Sequence, residues 1–349
     1  MLTEQYQNQT AQAKRKEAWV QAGTAVNATS AADAASQAGL DWTVSLHDMF
    51  ATYPISTVTT SGVITNNHMI DVVNRKAVIK TTPDGKTSNI GVVGTSYKVI
   101  QNSEIFGVLD TLIDSSELRY TAAGELNGGS KVWMVMSLPM SVQVANDPHE
   151  AFLIATTGHD GSQSFTLRPL LKRMFCVNQI NLSMLDGKDG RRSKNYTYRL
   201  AHTKHSKMNI SEIRDVIQLC YTGIETYQNI SSELLEVQAT RNKAVSFFEK
   251  VFPLTPEIAK TSPTEWTPAQ RRWYNKTMET RDQVLAIYEN SPTQQNIAGT
   301  AWGLFQSVVE YADHVRGTDA DKRAIAALTG SSDGLKARAL QHSRMLTTV

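Results

Sequence analysis

The sequence predicts an α+β fold: an N-terminal antiparallel β-meander with short helices, followed by a helical C-terminal half. Three observations lead there. Between about Trp42 and Leu171 the chain is rich in β-branched and apolar runs, at Ile55 to Ile64, Val72 to Ile79 and Ile90 to Ile100. Turn signals lie between runs, at Pro83-Asp84-Gly85, Asn127-Gly128-Gly129 and Asp160-Gly161. Hairpin turns of this kind need the positive φ that glycine adopts without a Cβ clash. After about Met208 the apolar spacing changes to three and four residues, the period of an amphipathic helix.

Taken in order, residues 1–28 are polar and read as an arm, with a small basic cluster at Lys14, Arg15 and Lys16. Ser30 is placed to cap a helix through Ala31 to Ala35 that stops near Gly39, with Asp33 in its first turn. One helix is expected inside the β-rich stretch, from Ser103 to Ser115, where Ile105, Leu109, Leu112 and Ile113 share a face. Val132-Trp133-Met134-Val135-Met136 is apolar at successive positions, which predicts a central strand covered on both faces. Ser211 is the expected N-cap of a long helix, 211–250, that either packs between subunits or covers the sheet of its own chain. Pro253, Pro256, Pro263 and Pro268 mark a connector, and helices are expected at 268–289, 295–316, 320–328 and 334–346. The domains are then an arm (1–28), a β-rich core domain (29–207) and a helical region (208–349).

The 349 residues are 41% apolar and 19% charged, enough to bury a core and too little charge for general disorder. No apolar run approaches the ~18 residues of a membrane span, and the polar N-terminus has no secretory core, so a cytoplasmic protein without a membrane partner is expected. Cys176 and Cys220 are too few for a disulfide framework or a four-thiolate zinc site, and both are expected to be buried and inert.

The net charge of +2 hides an asymmetry. Residues 168–207 hold ten Lys or Arg against only Asp186 and Asp189, leaving an acidic remainder. That is the footprint of a polyanion binder. The candidate phosphate contacts are Arg168, Lys172, Arg173, Lys188, Arg191, Arg192, Lys194 and Arg199, joined by Lys98. Tyr196 and Tyr198, alternate residues of a strand, share a face on which bases can stack. A solvated basic loop beside a core tyrosine pair accounts for the same residues.

Catalytic patterns are weak. Gly85-Lys86-Thr87 ends like a phosphate loop, but Lys80 occupies the position of its first glycine. Gly330-Ser331-Ser332-Asp333-Gly334 has the nucleophile-elbow pattern without a preceding strand. His202 and His205 lack a compact ligand set and read as phosphate contacts or surface residues. Carboxylate pairs such as Asp110 with Asp114, or Glu233 with Glu236, specify nothing. The expectation is a binding protein that is not an enzyme and uses no metal or cofactor.

The stretch Val93-Gly94-Thr95-Ser96-Tyr97-Lys98-Val99-Ile100-Gln101-Asn102, with Glu104 and Phe106 after it, resembles the phage/plasmid-like proteins catalogued as domain of unknown function 932. Ala123 to Gly129 leading into Val132-Trp133, then Arg173 with Cys176 and Asn178, and His202-Thr203, are similar to that family too. These matches span about residues 38–207; from Thr329-Gly330 through Leu335 to Leu340 the resemblance is weaker. It implies a mobile-element setting inside a bacterial host. A small helix ending at Gly39-Leu40-Asp41-Trp42, a β-meander, and Tyr97-Lys98 leading into a helix are similar in order to Rad52-type single-strand annealing proteins. That likeness implies a homo-oligomer, a ring in those proteins, whose basic groove holds single-stranded DNA, or RNA, by its phosphates. The competing expectation is a structural or assembly protein of the mobile element whose basic segment meets an acidic protein partner.

Overall fold

The structure, a computed structural model, describes residues 18–111, 119–174, 177–182, 185, 197–203, 209–317 and 319–347. Its strands are β1 (Thr24–Ala28), β2 (Thr43–Thr59), β3 (Gly62–Thr81), β4 (Thr87–Gly94), β5 (Arg119–Leu126), β6 (Lys131–Val144), β7 (Asp147–Gly158), β8 (Phe165–Arg173), β9 (Gln179–Asn181) and β10 (Tyr198–Leu200). Its α-helices are α1 (Ala18–Ala22), α2 (Ala31–Gln37), α3 (Asn102–Asp110), α4 (Ile210–Glu236), α5 (Arg241–Val251), α6 (Pro256–Lys260), α7 (Pro268–Asn290), α8 (Ala301–Glu310), α9 (Ala320–Thr329) and α10 (Asp333–Arg344). The fold is mixed α+β, with antiparallel meanders first and helices after, as the sequence predicts.

The large sheet runs β1-β5-β6-β7-β8-β10, with β9 also paired to β8, and a smaller sheet runs β2-β3-β4. Successive β6 side chains point to opposite faces. Val132, Met134 and Met136 enter the main core, whereas Trp133 and Val135 join Trp19, Phe152, Ile154, Leu170 and Leu328 on the other side. Strand β6 is thus central and covered on both faces. The main core continues without a break from β6 into Ile213, Tyr227, Phe305 and Leu340, so the helices share one core with the sheet. Helix α4 therefore covers the sheet of its own chain.

Local signals explain most elements. Ser30 Oγ accepts from Asp33 N at the start of α2, and Gly39 ends that turn at φ +66°. The Asn127–Gly129 turn holds Gly128 at φ +69° and Gly129 at +105°. A Cβ on Gly129 would stand 3.1 Å from the Trp42 ring. Lys80 lies over that ring at 4.5 Å and pairs with Glu125 at 2.7 Å, tying the small sheet to the large one. The glycine of Gly330 serves as the left-handed C-cap of α9, an inter-helix turn rather than a nucleophile elbow.

Four expectations need correction. Residues 18–28, expected within the polar arm, form α1 and β1; Val26 and Ala28 are buried as β1 pairs with β5, and Trp19 packs on Phe152 with ring centroids 5.0 Å apart. The apolar run Ile55 to Ile64 is not one strand; it turns at Thr60-Ser61 and joins β2 to β3. The cap of α4 is Asn209, whose Oδ1 accepts from Ser211 N and Glu212 N, in place of Ser211. The long helix breaks after Glu236, where Ala301 N donates to Val237 O and Ala239 N to Gly299 O, and Thr240 caps α5. Those tertiary bonds replace helical ones, which periodicity does not reveal.

Gly124 lies opposite Trp133, and a Cβ there would stand 2.7 Å from the indole Cζ2. Gly124→Ala is expected to cost about 1–3 kcal/mol by overpacking. Gly107→Ala, inside α3 with open space around its would-be Cβ, is expected to stabilise by about 1 kcal/mol through helix propensity. Denaturant midpoints of the two variants check both signs.

Candidate functional site

Strand β8 carries the first cations of the basic segment, and pairing buries it throughout: β7 lies on one edge, β9 and β10 on the other. Period-two alternation puts Arg168 and Lys172 on the face of the smaller core and Arg173 on the opposite face. The structure therefore does not bring these three together on a surface. Arg168 donates to Leu328 O and faces Asp333 at 3.6 Å. Lys172 lies 4.7 Å from the Phe152 ring centroid and 3.5 Å from Glu150. Arg173 is fully buried, pairs through Nε with Asp147, and donates to Thr293 O at 2.8 Å and Asn296 Oδ1 at 2.9 Å.

The expectation that Arg168, Lys172 and Arg173 hold phosphates is thereby corrected: each is sealed against internal partners, because β8 is an inner strand. Tyr198 is likewise buried, edge-on to Phe165 with ring centroids 6.0 Å apart, and its hydroxyl accepts from Asn209 N at the start of α4. It offers no face to a base. Arg199 projects from the same strand into solvent, and Lys98 is also exposed, its backbone N–H donating to His202 O. Lys188, Arg191, Arg192, Lys194 and Tyr196 lie outside the described residues, as do Cys176 and His205.

The flanks of that outlying stretch are fixed. Asn181 pairs with Leu170 and Tyr198 with Leu167, so the chain leaves and rejoins the same edge of β8, about 10 Å apart along the strand. His202 is a core histidine rather than a phosphate contact. Its Nε2 is 2.8 Å from Thr157 Oγ1, and its ring stacks on Tyr97 at 5.1 Å, whose hydroxyl donates to Gly158 O. Burial holds the His202 imidazole below its ordinary pKa, so it is neutral near pH 7. The buried Cys220 thiol is pushed up to about 12 by the same effect.

Other polar groups meet here that sequence spacing did not single out. Lys336 donates to Gln179 O at 2.6 Å and to Asp313 Oδ2 at 2.8 Å; Asp313 in turn accepts from Gln179 N. Asn181 donates to Asp333, and Glu310 accepts from Ser291 at 2.9 Å and from Thr293. Partners such as Gln179 and Lys336 stand 157 residues apart, so no sequence motif marks them. A separate cleft of about 250 Å³ lies between α2 and α3, but Asp110 at its rim is already bonded to Ala31 N and Tyr120 Oη. Among the described residues no cluster of three or more His, Cys, Asp or Glu suits a metal ion, and no helix is long and apolar enough to cross a membrane.

Arg173→Met, which strands Asp147 in the core, is expected to cost about 3–5 kcal/mol. Arg199→Ala should stay within about 0.5 kcal/mol of wild type; equilibrium unfolding compares them. Burial also lowers His149 and His159 to about 4. Their unfolded counterparts titrate near 6.5, so protons bind the unfolded chain preferentially. Stability is expected to be full above about pH 6.5 and to fall towards pH 4, by about 1.4 kcal/mol per pH unit for each histidine. His159→Gln, which keeps a donor for Asn102 Oδ1, should reduce that slope in melts recorded between the two limits.

A family model described as a domain of unknown function (DUF932) matches residues 89–338. The match starts within β4 and ends within α10, so it holds the large sheet from β5 onward, the basic segment and most of the helical layer. Searches of curated proteins and of solved structures return no match. With well over half of its length inside the match, the chain belongs to the DUF932 family.

Proposed function

We propose that this is a non-enzymatic single-stranded nucleic-acid binding and annealing protein of a phage or plasmid. The observation that carries the reading is the division of the basic segment. Its first three cations are sealed in the core, and Lys188, Arg191, Arg192, Lys194, Arg199, Lys204 and Lys207 follow with only Asp186 and Asp189 among them. Positive charge concentrated in one stretch of a chain whose remainder is acidic favours a polyanion. The buried pairs then build a rigid platform, and the contacts pass to the later cations, with Arg199 and Lys98 beside them and Tyr196 as the stacking ring. Annealing needs the backbone held by charge and the Watson–Crick edges left free, which Lys and Arg supply without base readout. The mobile-element setting rests on the resemblance to phage/plasmid-like proteins.

Fluorescence anisotropy of labelled single-stranded and duplex oligonucleotides at several salt concentrations tests this. Tighter binding of the single strand, weakening steeply with salt, is expected, together with faster annealing of complementary strands. Arg191→Glu with Arg192→Glu should weaken binding and flatten the log–log salt slope by about 1.4, two contacts' worth on a single strand. Absence of binding at low salt would assign the segment to an acidic protein partner and the protein to structural or assembly work.

A further inference from the structure

The β2–β3 hairpin changes character at Asp48 and Lys76. On the body side Val44 and Val78 are buried, and β3 pairs with β4 from Arg75 to Thr81. On the far side the register slips: Asp48 faces Lys76 but Phe50 faces Asp71, and Asn74 sits at φ +68°. A bulge of this kind bends and twists a ribbon. It sends ten consecutive residue pairs, Phe50–Asp71 to Thr59–Gly62, out as an exposed arm about 33 Å long.

Residues 49–70 contain no Asp, Glu, Lys or Arg, in a chain that is 19% charged. Large apolar side chains are exposed on both faces: Tyr53, Ile64 and Ile70 on one, Phe50, Val63 and Met69 on the other. Both long edges are open among the described residues, since β2 pairs only with β3 and β4 stops at Arg75. A lone two-stranded ribbon is marginal in water, and an open edge without charges is a template for another chain. Pro54 interrupts donors on β2, but no proline lies between Val63 and Asp71 of β3.

We propose that the arm is an exchange element, covered by a second copy of this chain whose own arm is covered in return. Area favours a second copy. One arm, about 33 Å by about 10 Å, offers roughly 330 Å² per face. Covering both faces buries about 1,300 Å² counted on the two partners, the low end for a stable complex, and reciprocal exchange doubles it into the range of permanent dimers. A two-fold arrangement lets one self-complementary patch serve both sides. The lack of charge removes any attraction to phosphates or to an ionic partner. The inference is independent of the nucleic-acid reading, which rests on the cations of residues 168–207 and on Lys98 and not on the arm.

Sedimentation velocity and light scattering of the full chain at micromolar concentration test it. The wild type is expected as a dimer or a multiple of dimers. A variant with residues 51–70 replaced by Asn-Gly, a two-residue hairpin turn, should have at most half that mass at equal concentration. Ile64→Lys with Ile70→Lys, both exposed positions, should do the same with unchanged circular dichroism, and decides the matter if the shortened chain fails to fold. A monomeric wild type, or more than half of the wild-type mass retained in either folded variant, overturns the proposal.

Discussion

The structure depends on a seam of buried charge where β7, β8 and β9 of the large sheet meet the C-terminal helices. Asp147 with Arg173, Asp333 with Arg168, and Asp313 with Lys336 are all at most 5% exposed at the side chain. Removing such ions from water costs several kcal/mol each, and only complete pairing with further hydrogen bonds offsets it. The seam supplies those bonds from Thr293, Asn296, Leu328 and Gln179, which belong to both layers. Shifting one layer against the other would break the Arg168–Asp333 pair and strip Arg173 of Thr293 and Asn296 and Lys336 of Gln179, so the seam sets the register between halves. Apolar packing alone is far more tolerant of small slips.

The central sheet meets its own constraint on both faces. Trp133 fits because Gly23 and Gly124 leave room beneath the indole, and any side chain there would collide with it. Strand β6 is held between β5 and β7, and β7 in turn holds β8. The edge where the basic stretch departs is therefore anchored on β8, buried throughout, and through it on the largely buried β7 and β6. On the proposed reading, phosphate contacts gain from such an anchor, since less motion is lost on binding.

Two contrasting surfaces come out of one chain. Beside β8 and β10 the chain offers the flanks of a strongly basic stretch, and on β2–β3 it offers an arm that carries no Asp, Glu, Lys or Arg beyond Asp71 at its base. Charge suits a flexible polyanion, which binds through counterion release. A ribbon with apolar side chains exposed on both faces suits a protein surface, where contact area and strand pairing carry the association. The bulge between the Asp48–Lys76 and Phe50–Asp71 pairs separates the arm from the core-packed base of its own hairpin.

By itself the sequence determined what acts over a few residues. Hairpin glycines, the Ser30 cap, the doubly apolar β6 run and the helical period after Met208 all depend on neighbours within a turn or a strand, so they could be read directly. Much of the candidate site was not legible in this way. Arg168, Lys172 and Arg173 look like any basic cluster until β8 is known to be an inner strand. His202 looks like a surface histidine until Tyr97 and Thr157 close over it. Ile55 to Ile64 looks like one strand until the chain reverses in its middle. Only the tertiary structure decided these, because burial and pairing are set by partners outside the local run, as far as 26 positions from Arg173 to Asp147 and 160 from Arg168 to Leu328. The sign of a charge is local, but its exposure is not.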